Sequence, residues 1–373
     1  MKNKILVATD SFLPKIDGVS MFLTRVLPKL ANYYDITLLC PGFPGKIKEF
    51  KGIKIIRTKV SRIKIANYNI PKPKNKQIKK LVEEADLVWL QDIGPVCTKT
   101  LKFAKLLNKK IIAYVHAIEG QRFSVCSEAT SKLRLILSSL TRNYERNFYT
   151  KCNRLMLSSN TISKILYKEG IHKKETIIPL GVDSLLLKPT NKEQAKKKLN
   201  LEGKFVIGYL GRISKEKNLI TLRNVFADLP IENKFLLIVG GGAYLQRRMF
   251  NGIKNVKITG FVDDKNQYLQ AMDVYVLPSL TETSSLSTLE AMSSGLPVVT
   301  TPVGAIPDYL IDGKNGMFFN VKAEDELFKI LIKLYGNKDL RDILGSNARK
   351  TASKFSWDIT VKKIKTVFDE ELN

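Results

Sequence analysis

The sequence predicts an α/β protein with two domains, each of them a parallel sheet wrapped by helices. Its 373 residues are long for one hydrophobic core and comfortable for two. Short apolar runs alternate along the chain with longer stretches of helical periodicity, a rhythm typical of parallel sheets. This alternation starts afresh at Val206, after a polar segment that carries prolines, so we expect two such sheets.

The apolar runs that predict strands fall into two series. The first series lies at 4–9, 36–40, 53–56, 86–90, 111–115, 154–158 and 176–179, and the second at 206–210, 235–240, 256–259, 274–277, 297–300 and 317–319. Helical stretches between the first runs include 19–32, 75–85, 97–108 and 130–151. We place a linker near Gly181 to Pro189, domains at 1–183 and 184–355, and a final helix over 356–373.

Composition favours a globular protein without a membrane span. Hydrophobic residues make up 44% of the chain, and no apolar run approaches the roughly 18 residues that a spanning helix needs. The N-terminal residues predict an opening strand and not a signal peptide. Four cysteines, Cys40, Cys97, Cys126 and Cys152, lack metal-ligand spacing and predict reduced thiols in a cytoplasm. With only two histidines, most histidine-based metal sites are excluded.

Charge is spread unevenly along the chain. Residues 1–200 hold 39 Lys and Arg against 15 Asp and Glu, a net +24, whereas residues 201–373 hold 23 against 20, a net +3. Segment 46–80 alone has 13 basic residues and one acid, Glu49. Residues 130–154 mix leucines with basic residues, which fits a helix on a bilayer or a domain helix with an apolar core face. The asymmetry predicts an anionic partner: lipid headgroups, a lipid-phosphate acceptor or nucleic acid.

Two glutamates, Glu282 and Glu290, flank a hydroxyl-rich turn that follows the predicted strand 274–277. Glu282 therefore lies at the carboxyl end of a strand, where open α/β sheets bind ligands. The amides of Ser284, Ser285, Leu286 and Ser287 open the next helix and offer an anion site. Two plainer interpretations remain open: Ser287 and Glu290 form a capping box, and Glu282 is a solvated loop carboxylate.

Basic and glycine-bearing turns follow other predicted strands. Gly211 and Arg212 end the strand 206–210, with Lys217 six residues later, and a guanidinium with an ammonium can bind a diphosphate. An ordinary βα turn is the alternative. Residues 240–242 are three glycines, a weak phosphate-binding signal.

The first half offers two further candidates. Gly18 begins the predicted helix 19–32, where the lack of a side chain lets a phosphate approach the backbone. His116 closes the strand 111–115. The alternatives are a plain helix start for Gly18 and a histidine bonded to backbone for His116.

Together these motifs resemble the retaining glycosyltransferases of family 4. The resemblance rests on the Glu282-x7-Glu290 spacing and on four stretches in the family's order: Asp10–Val19, Gly211–Asn218, Ala291–Val299 and Thr301–Leu310. Asp17 stands where the family usually has glycine. The resemblance implies the GT-B fold, in which two Rossmann-like domains face each other across a cleft and the last helix crosses back to the first domain. It implies a nucleotide-sugar co-substrate and no metal.

Roles for individual residues follow from the same resemblance. It implies a catalytic set of His116, Arg212, Lys217 and Glu282. It implies donor contacts from Gly18, Gly211, Arg212, Lys217, Val262, Glu282, Ser284, Ser285, Leu286, Ser287 and Glu290. Arg212 and Lys217 would neutralise the leaving diphosphate, Glu282 would orient the sugar and Glu290 would hold the ribose.

The expected function is transfer of a hexose from a UDP- or GDP-sugar to a hydroxyl acceptor, with retention at the anomeric carbon. The charge asymmetry favours a membrane lipid or lipid-linked glycan as acceptor, and a cytoplasmic protein peripheral on the inner face of the cell membrane. The alternatives are a nucleotide-sugar epimerase or another GT-B enzyme on a soluble substrate. A nucleic-acid-binding protein, suggested by charge only, lacks a recognisable reading motif.

Overall fold

A computed structural model describes residues 2–45, 50–65, 68–126 and 131–373. Residues 46–49 and 66–67 of the basic segment, residue 130 of the predicted helix and the thiol of Cys126 lie outside that description. Two compact units make up the chain. The first takes nearly all residues up to Leu180 together with Trp357–Asn373, and the second takes Gly181–Ser356.

The first unit is built on an eight-stranded sheet in the order β4-β3-β2-β1-β5-β6-β7-β8. Its strands are β1 (Lys4–Ala8), β2 (Asp35–Pro41), β3 (Ile53–Ile65), β4 (Tyr68–Lys72), β5 (Leu87–Leu90), β6 (Lys110–Tyr114), β7 (Arg154–Leu157) and β8 (Lys174–Ile177). All pairings from β3 to β8 are parallel. The four residues of β5 are all buried, as expected of a central strand covered on both faces.

The edge strand β4 departs from the prediction of a purely parallel sheet. β3 continues well past the predicted 53–56, and β4 pairs with it antiparallel, Lys59 opposite Lys72 and Val60 opposite Pro71. Pro71 has no N–H to donate, which an edge strand tolerates. The prediction missed β4 because its five residues include a proline and no apolar run.

The second unit has a six-stranded sheet in the order β11-β10-β9-β12-β13-β14, parallel throughout. Its strands are β9 (Phe205–Leu210), β10 (Lys234–Val239), β11 (Val256–Ile258), β12 (Val274–Leu277), β13 (Val298–Thr300) and β14 (Met317–Phe318). This confirms the prediction of a second α/β sheet, and each predicted run overlaps an observed strand.

Helices connect the strands of both sheets. Those of the first unit are α1 (Gly18–Leu30), α2 (Asn75–Glu84), α3 (Pro95–Leu106), α4 (Glu119–Cys126), α5 (Ser131–Tyr149), α6 (Asn160–Lys168) and α14 (Trp357–Leu372). Those of the second are α7 (Lys192–Lys198), α8 (Leu219–Asp228), α9 (Tyr244–Arg247), α10 (Asn266–Ala271), α11 (Leu286–Ser293), α12 (Glu324–Gly336) and α13 (Lys338–Ala352). Among the described residues, no helix is both long and apolar enough to cross a bilayer.

The terminal helix α14 packs into the core of the first unit through a buried stripe at helical spacing. The ring of Phe368 lies 5.1 Å from that of Trp89 on β5 and 5.5 Å from that of Tyr34, centroid to centroid. The Tyr34 hydroxyl donates to the Asp369 carboxylate at 2.6 Å. An aromatic cluster with a polar rim therefore holds the end of the chain to residues near its beginning.

We predict that Phe368→Ala lowers the free energy of unfolding of the first unit by about 3–5 kcal/mol, because it empties a fully buried aromatic site. Urea denaturation followed by tryptophan fluorescence measures this, since both tryptophans, Trp89 and Trp357, belong to the first unit. The control is Lys362→Ala, an exposed position on the same helix, for which we expect a change within about 0.5 kcal/mol. Equal midpoints for the two variants would contradict the packing role.

Candidate active site

The second sheet reverses its strand order between β9 and β12. From β9 the chain continues to β10 on one side, and later returns to place β12 on the other. The carboxyl ends of two neighbouring strands separated by such a reversal leave a crevice, where open α/β sheets bind ligands. Gly211 and Arg212 follow β9, and the segment from Ser279 to Glu282 follows β12, so the predicted residues meet at this edge.

Glu282 is held by two polar partners at the end of β12. The Lys217 ammonium lies 2.5 Å from Glu282 Oε1, and the Ser279 hydroxyl donates to the same oxygen at 2.8 Å. The glutamate side chain is only 7% exposed, and the lysine side chain 19%. Glu282 is therefore a buried, paired carboxylate and not the solvated loop residue of the plainer interpretation.

Lys217 reaches Glu282 because the chain turns tightly after β9. Lys215–Lys217 form one turn of 3₁₀ helix, and Asn218 then takes a left-handed conformation with φ 51°. Asparagine tolerates that region better than most residues. The amide of Leu280 donates to the carbonyl of Glu216 at 2.8 Å, which ties this turn directly to the loop after β12.

Arg212 forms a second ion pair on the same turn. Its Nη2 lies 2.8 Å from Glu216 Oε1, with the arginine side chain one-third exposed and the glutamate side chain 11% exposed. Burial would raise the pKa of Glu216, but the Arg212 charge, with further hydrogen bonds and Lys217, outweighs it and lowers the pKa to about 2. The guanidinium is thus held in place while part of it stays open to solvent.

Helix α11 begins at Leu286, and its N-cap is Ser285. The Ser285 hydroxyl accepts from the amide of Thr288 at 3.3 Å. The capping-box interpretation of Ser287 and Glu290 is therefore wrong, since Ser287 lies inside the first turn. Its hydroxyl instead accepts from the phenol of Tyr275 at 2.9 Å. Ser284 precedes the cap, and the first-turn amides of the helix have no intrahelical acceptor.

Glu290 pairs with a residue that sequence reasoning missed. Its Oε1 contacts the Lys265 ammonium, and its side chain is 8% exposed. Lys265 lies three residues after Val262, in the loop that follows β11. A single lysine between strand and helix gives no sequence signal of its own, because only the fold brings that loop beside α11.

Glycines let the backbones at this edge come close together. A Cβ at Gly304, which has φ +60°, would lie 2.1 Å from the carbonyl oxygen of Glu282. A Cβ at Gly240 would lie 1.9 Å from the carbonyl oxygen of Gly211, and one at Gly242 would lie 2.1 Å from that of Ile213. Contact between neighbouring turns therefore explains Gly240 and Gly242 without a phosphate.

Gly18 and His116 belong to the first unit. Gly18 is the first residue of α1, and Asp17 caps that helix by accepting from the amide of Ser20 at 3.0 Å. A Cβ on Gly18 would meet nothing within 4 Å, so packing within the described chain does not require glycine there.

His116 is held by side chains and not by backbone, contrary to the plainer interpretation. Its Nε2 lies 2.9 Å from Gln91 Oε1, and its ring stacks on Tyr114 at 4.4 Å between centroids. Burial lowers the pKa of His116 to about 3 and outweighs the opposing effect of the Asp17 charge. The imidazole is therefore neutral at ordinary pH.

Two family models match the chain, one described as Glycosyltransferase Family 4 over residues 16–184 and one as Glycosyl transferases group 1 over residues 191–351. The alpha-monoglucosyldiacylglycerol synthase of Acholeplasma laidlawii is 28% identical, over 98% of this chain and 96% of its own. The UDP-Gal:alpha-D-GlcNAc-diphosphoundecaprenol alpha-1,3-galactosyltransferase of Escherichia coli is 29% identical, over 98% and 97%.

This chain belongs to glycosyltransferase family 4. Solved structures of the same fold agree. Sucrose-phosphate synthase of Thermosynechococcus elongatus superposes with a TM-score of 0.81 at 19% identity, covering 99% of both chains. The Anabaena HepE protein in complex with UDP-glucose gives 0.79 at 19% identity, covering 98% of this chain and 99% of its own. The fold of this glycosyltransferase is therefore GT-B, with two Rossmann-like domains.

A cluster of two carboxyl groups and a thiol in the first unit was not predicted from the sequence. Asp10, Asp92 and Cys97 each offer a ligand atom within 4.8 Å of the others. Asp10 accepts from the amides of Val96 and Cys97 at the start of α3, at 2.8 and 3.1 Å. Burial, with the charge of Asp10, raises the pKa of Asp92 to about 7. The Asp10 carboxyl group therefore caps the start of α3, and the raised pKa of Asp92 limits the negative charge that the cluster carries.

Gly304→Ala should displace Glu282, because the added methyl group would overlap the Glu282 carbonyl. We expect a loss of about 1–3 kcal/mol in the free energy of unfolding of the second unit beyond the matched control. The control is Gly313→Ala, which has φ +69° but open space around the new methyl group. Thermal unfolding by calorimetry compares the two, and indistinguishable curves would contradict the close approach.

Glu216→Gln should make the free energy of unfolding depend less steeply on pH below about 4.5. Because the folded-state pKa of about 2 lies below the ordinary 4.5, the Glu216 carboxylate contributes fully above pH 4.5, and its contribution is lost as the pH falls towards 2. We expect the variant to lose about 2 kcal/mol at neutral pH and less at the acid end. Urea unfolding across this range measures the difference, with exposed Glu202→Gln as control; a pH-independent deficit would contradict the assignment.

Proposed function

We propose that this glycosyltransferase moves a hexose from a UDP- or GDP-sugar to a hydroxyl group of a membrane lipid or lipid-linked glycan, with retention at the anomeric carbon and without a metal. The observation that carries the proposal is the buried contact of Lys217 with Glu282 beside the start of α11. It puts a cation, a carboxylate and a helix N-terminus at one ligand-binding edge.

The diphosphate of the donor would take the cations and the amides. Glycosyl transfer builds negative charge on the departing phosphate, and fixed positive groups stabilise that charge without reorganising during the reaction. Arg212 and Lys217 are both held by carboxylates before a donor arrives. The first-turn amides of Leu286 and Ser287 would add donors from the helix end. These groups supply the positive charge that a metal supplies in other enzymes, which supports the metal-independent proposal.

The two glutamates would bind the two sugars of the donor. Glu282 accepts through Oε1 from Lys217 and Ser279, which leaves Oε2 to accept from hexose hydroxyls and orient the ring. Glu290 lies within α11, about one turn after its first residue Leu286, and would accept from the ribose. Val262, in the middle of the loop after β11, would border the base. Retention follows as a proposal from the family resemblance.

The acceptor proposal draws on the relatives and on charge. The A. laidlawii protein is named for a glucosyldiacylglycerol product and the E. coli protein for a lipid diphosphate acceptor. The Anabaena HepE protein, which has the same fold, is solved in complex with UDP-glucose. A net charge of +24 within residues 1–200 suits an acceptor at an anionic membrane. We therefore propose acceptor binding by the first unit, at the inner face of the membrane in the cytoplasm. Roles for Gly18 and His116 stay predictions.

Glu282→Gln tests the proposal most directly. The amide keeps the side chain's size but removes the charge that pairs with Lys217, so we expect kcat to fall by a factor of about 10²–10³. Transfer of radiolabelled glucose from UDP-glucose to diacylglycerol-containing vesicles measures it, with GDP-mannose in parallel. Lys217→Ala should lose a comparable factor, and exposed Lys197→Ala on α7 serves as its control.

A measurement of donor binding distinguishes a wrong choice of acceptor from a wrong assignment of the donor site. A bound donor at 100 times its Kd stabilises the folded protein by about 2.7 kcal/mol, so the wild type should melt higher with the correct nucleotide sugar. A Glu282→Gln enzyme as active as the wild type would contradict the proposed site. Absence of any rise in melting temperature with UDP-, GDP- or ADP-sugars would contradict the proposed donor class.

A further inference from the structure

Helix α5 exposes an apolar stripe. Leu133, Ile136, Leu140 and Tyr144 follow one another at steps of three or four residues, so they share one face of the helix. Their side chains are 48%, 56%, 59% and 43% exposed. In the described part of the first unit Leu133, Ile136 and Leu140 are left largely uncovered, while the Tyr144 hydroxyl at the end of the stripe donates to the carbonyl of Ile93.

Along the middle of α5 the opposite face is polar and buried, which fixes how the helix is turned. Ser138 and Glu145 lie seven residues apart on that face, exposed by 1% and 2%. The Glu145 carboxylate accepts from the amides of Glu119 and Gly120 at 2.6 and 2.9 Å, and the Ser138 hydroxyl donates to the carbonyl of Gly120 at 3.1 Å. The start of α4 therefore binds the polar side of α5, and the apolar stripe is left outward.

Before its last turn, this orientation of α5 is the reverse of an ordinary surface helix, whose apolar face meets the core. The last turn of α5, with Phe148 and Tyr149, packs apolar side chains into the core. Close packing of the two helices reinforces it, since a Cβ on Gly120 would lie 2.4 Å from Cγ of Arg142. Turning the stripe inward would strip the Glu145 carboxylate of both amide donors, a costly loss for a buried charge-bearing group.

Lys132 and Arg134 flank the start of the stripe, whereas Arg142 and Arg146 lie on the side of the helix that faces Gly120 and Gly170. α5 carries Lys132, Arg134, Arg142 and Arg146, and its one acidic residue is the buried Glu145. An exposed apolar stripe beside cationic residues matches the pattern of helices that lie in the interface of an anionic bilayer. A second copy of the chain fits the charge poorly, because such a contact would bring together two surfaces from a half of net +24.

We infer that α5 is the membrane-docking element of this enzyme, with Leu133, Ile136 and Leu140 entering the boundary between headgroups and acyl chains and the flanking basic residues contacting anionic headgroups. Its occupant is a bilayer rich in anionic phospholipid. The inference rests on the proposed function only in that a lipid acceptor gives the enzyme a reason to be there; the binding itself needs no donor.

The test is sedimentation of the full-length protein with vesicles of phosphatidylglycerol and phosphatidylcholine, or of phosphatidylcholine alone. The wild type should bind the anionic vesicles, and added salt should weaken binding. Leu133→Ser/Ile136→Ser/Leu140→Ser should lower the partition coefficient about tenfold or more. Tyr144 is left unchanged because its hydroxyl donates to the carbonyl of Ile93 at 2.8 Å.

Two matched controls separate the stripe from general hydrophobicity and charge. Leu106→Ser removes a leucine that is 67% exposed on α3 and should leave binding within about twofold. Lys132→Glu/Arg134→Glu should weaken anionic binding, whereas Lys197→Glu/Lys198→Glu on α7 makes the same charge change and should not. Circular dichroism melting confirms that each variant is folded.

Three outcomes would overturn the inference. Undiminished vesicle binding by a folded triple-serine variant is the first, and failure of the wild type to bind anionic vesicles is the second. The third is a wild-type dimer in size-exclusion chromatography that the triple substitution turns into a monomer, which would assign the stripe to a second copy. Glu282→Gln should bind vesicles like the wild type, so a wrong donor site and a wrong docking surface give different results.

Discussion

The ion pair between Lys217 and Glu282 joins residues 65 positions apart and fixes the spacing of two turns at the carboxyl edge of the second sheet. Burying two charges is costly unless they are close and otherwise hydrogen-bonded. Ser279 supplies the additional hydrogen bond, and the Leu280 amide ties the same two turns through backbone. Removing either charge would leave the other buried alone, so the positions of both segments depend on the pair. Arg212, Glu216 and the start of α11 are arranged around it.

Backbone packing makes that arrangement possible. The turns after β9 and β10 approach so closely that side chains at Gly240 and Gly242 would overlap carbonyl oxygens, and Gly304 gives the loop of Glu282 the same freedom. The proposed donor site would need its cations and amides fixed before the substrate arrives, since reorganisation during the reaction would cost the free energy that stabilises the leaving group. The glycines therefore matter through the geometry they permit, and a phosphate need not touch them.

In the first unit a buried carboxyl group sets the orientation of a surface helix. Glu145 satisfies the first amides of α4, and by doing so turns the apolar side of α5 outward beside its basic residues. One buried hydrogen-bonding group thus decides which face of a helix is exposed. Together with the excess of positive charge in residues 1–200, it gives this unit a surface suited to an anionic interface, while residues 201–373, of net charge +3, carry the motifs of the proposed donor site.

The sequence by itself determined the two parallel sheets, because apolar runs of strand length alternate with helical periodicity, and it located Glu282 and Arg212 at strand ends. It could not reveal β4, a five-residue strand with a proline and no apolar run. Nor could it reveal the partners Lys265 and Ser279, because a single lysine or serine in a loop carries no signal of its own. The tertiary structure alone decided that Ser285 and not Ser287 caps α11, and that the leucines of α5 face outward. Periodicity records which residues share a face, but the direction of that face depends on partners brought from distant parts of the chain.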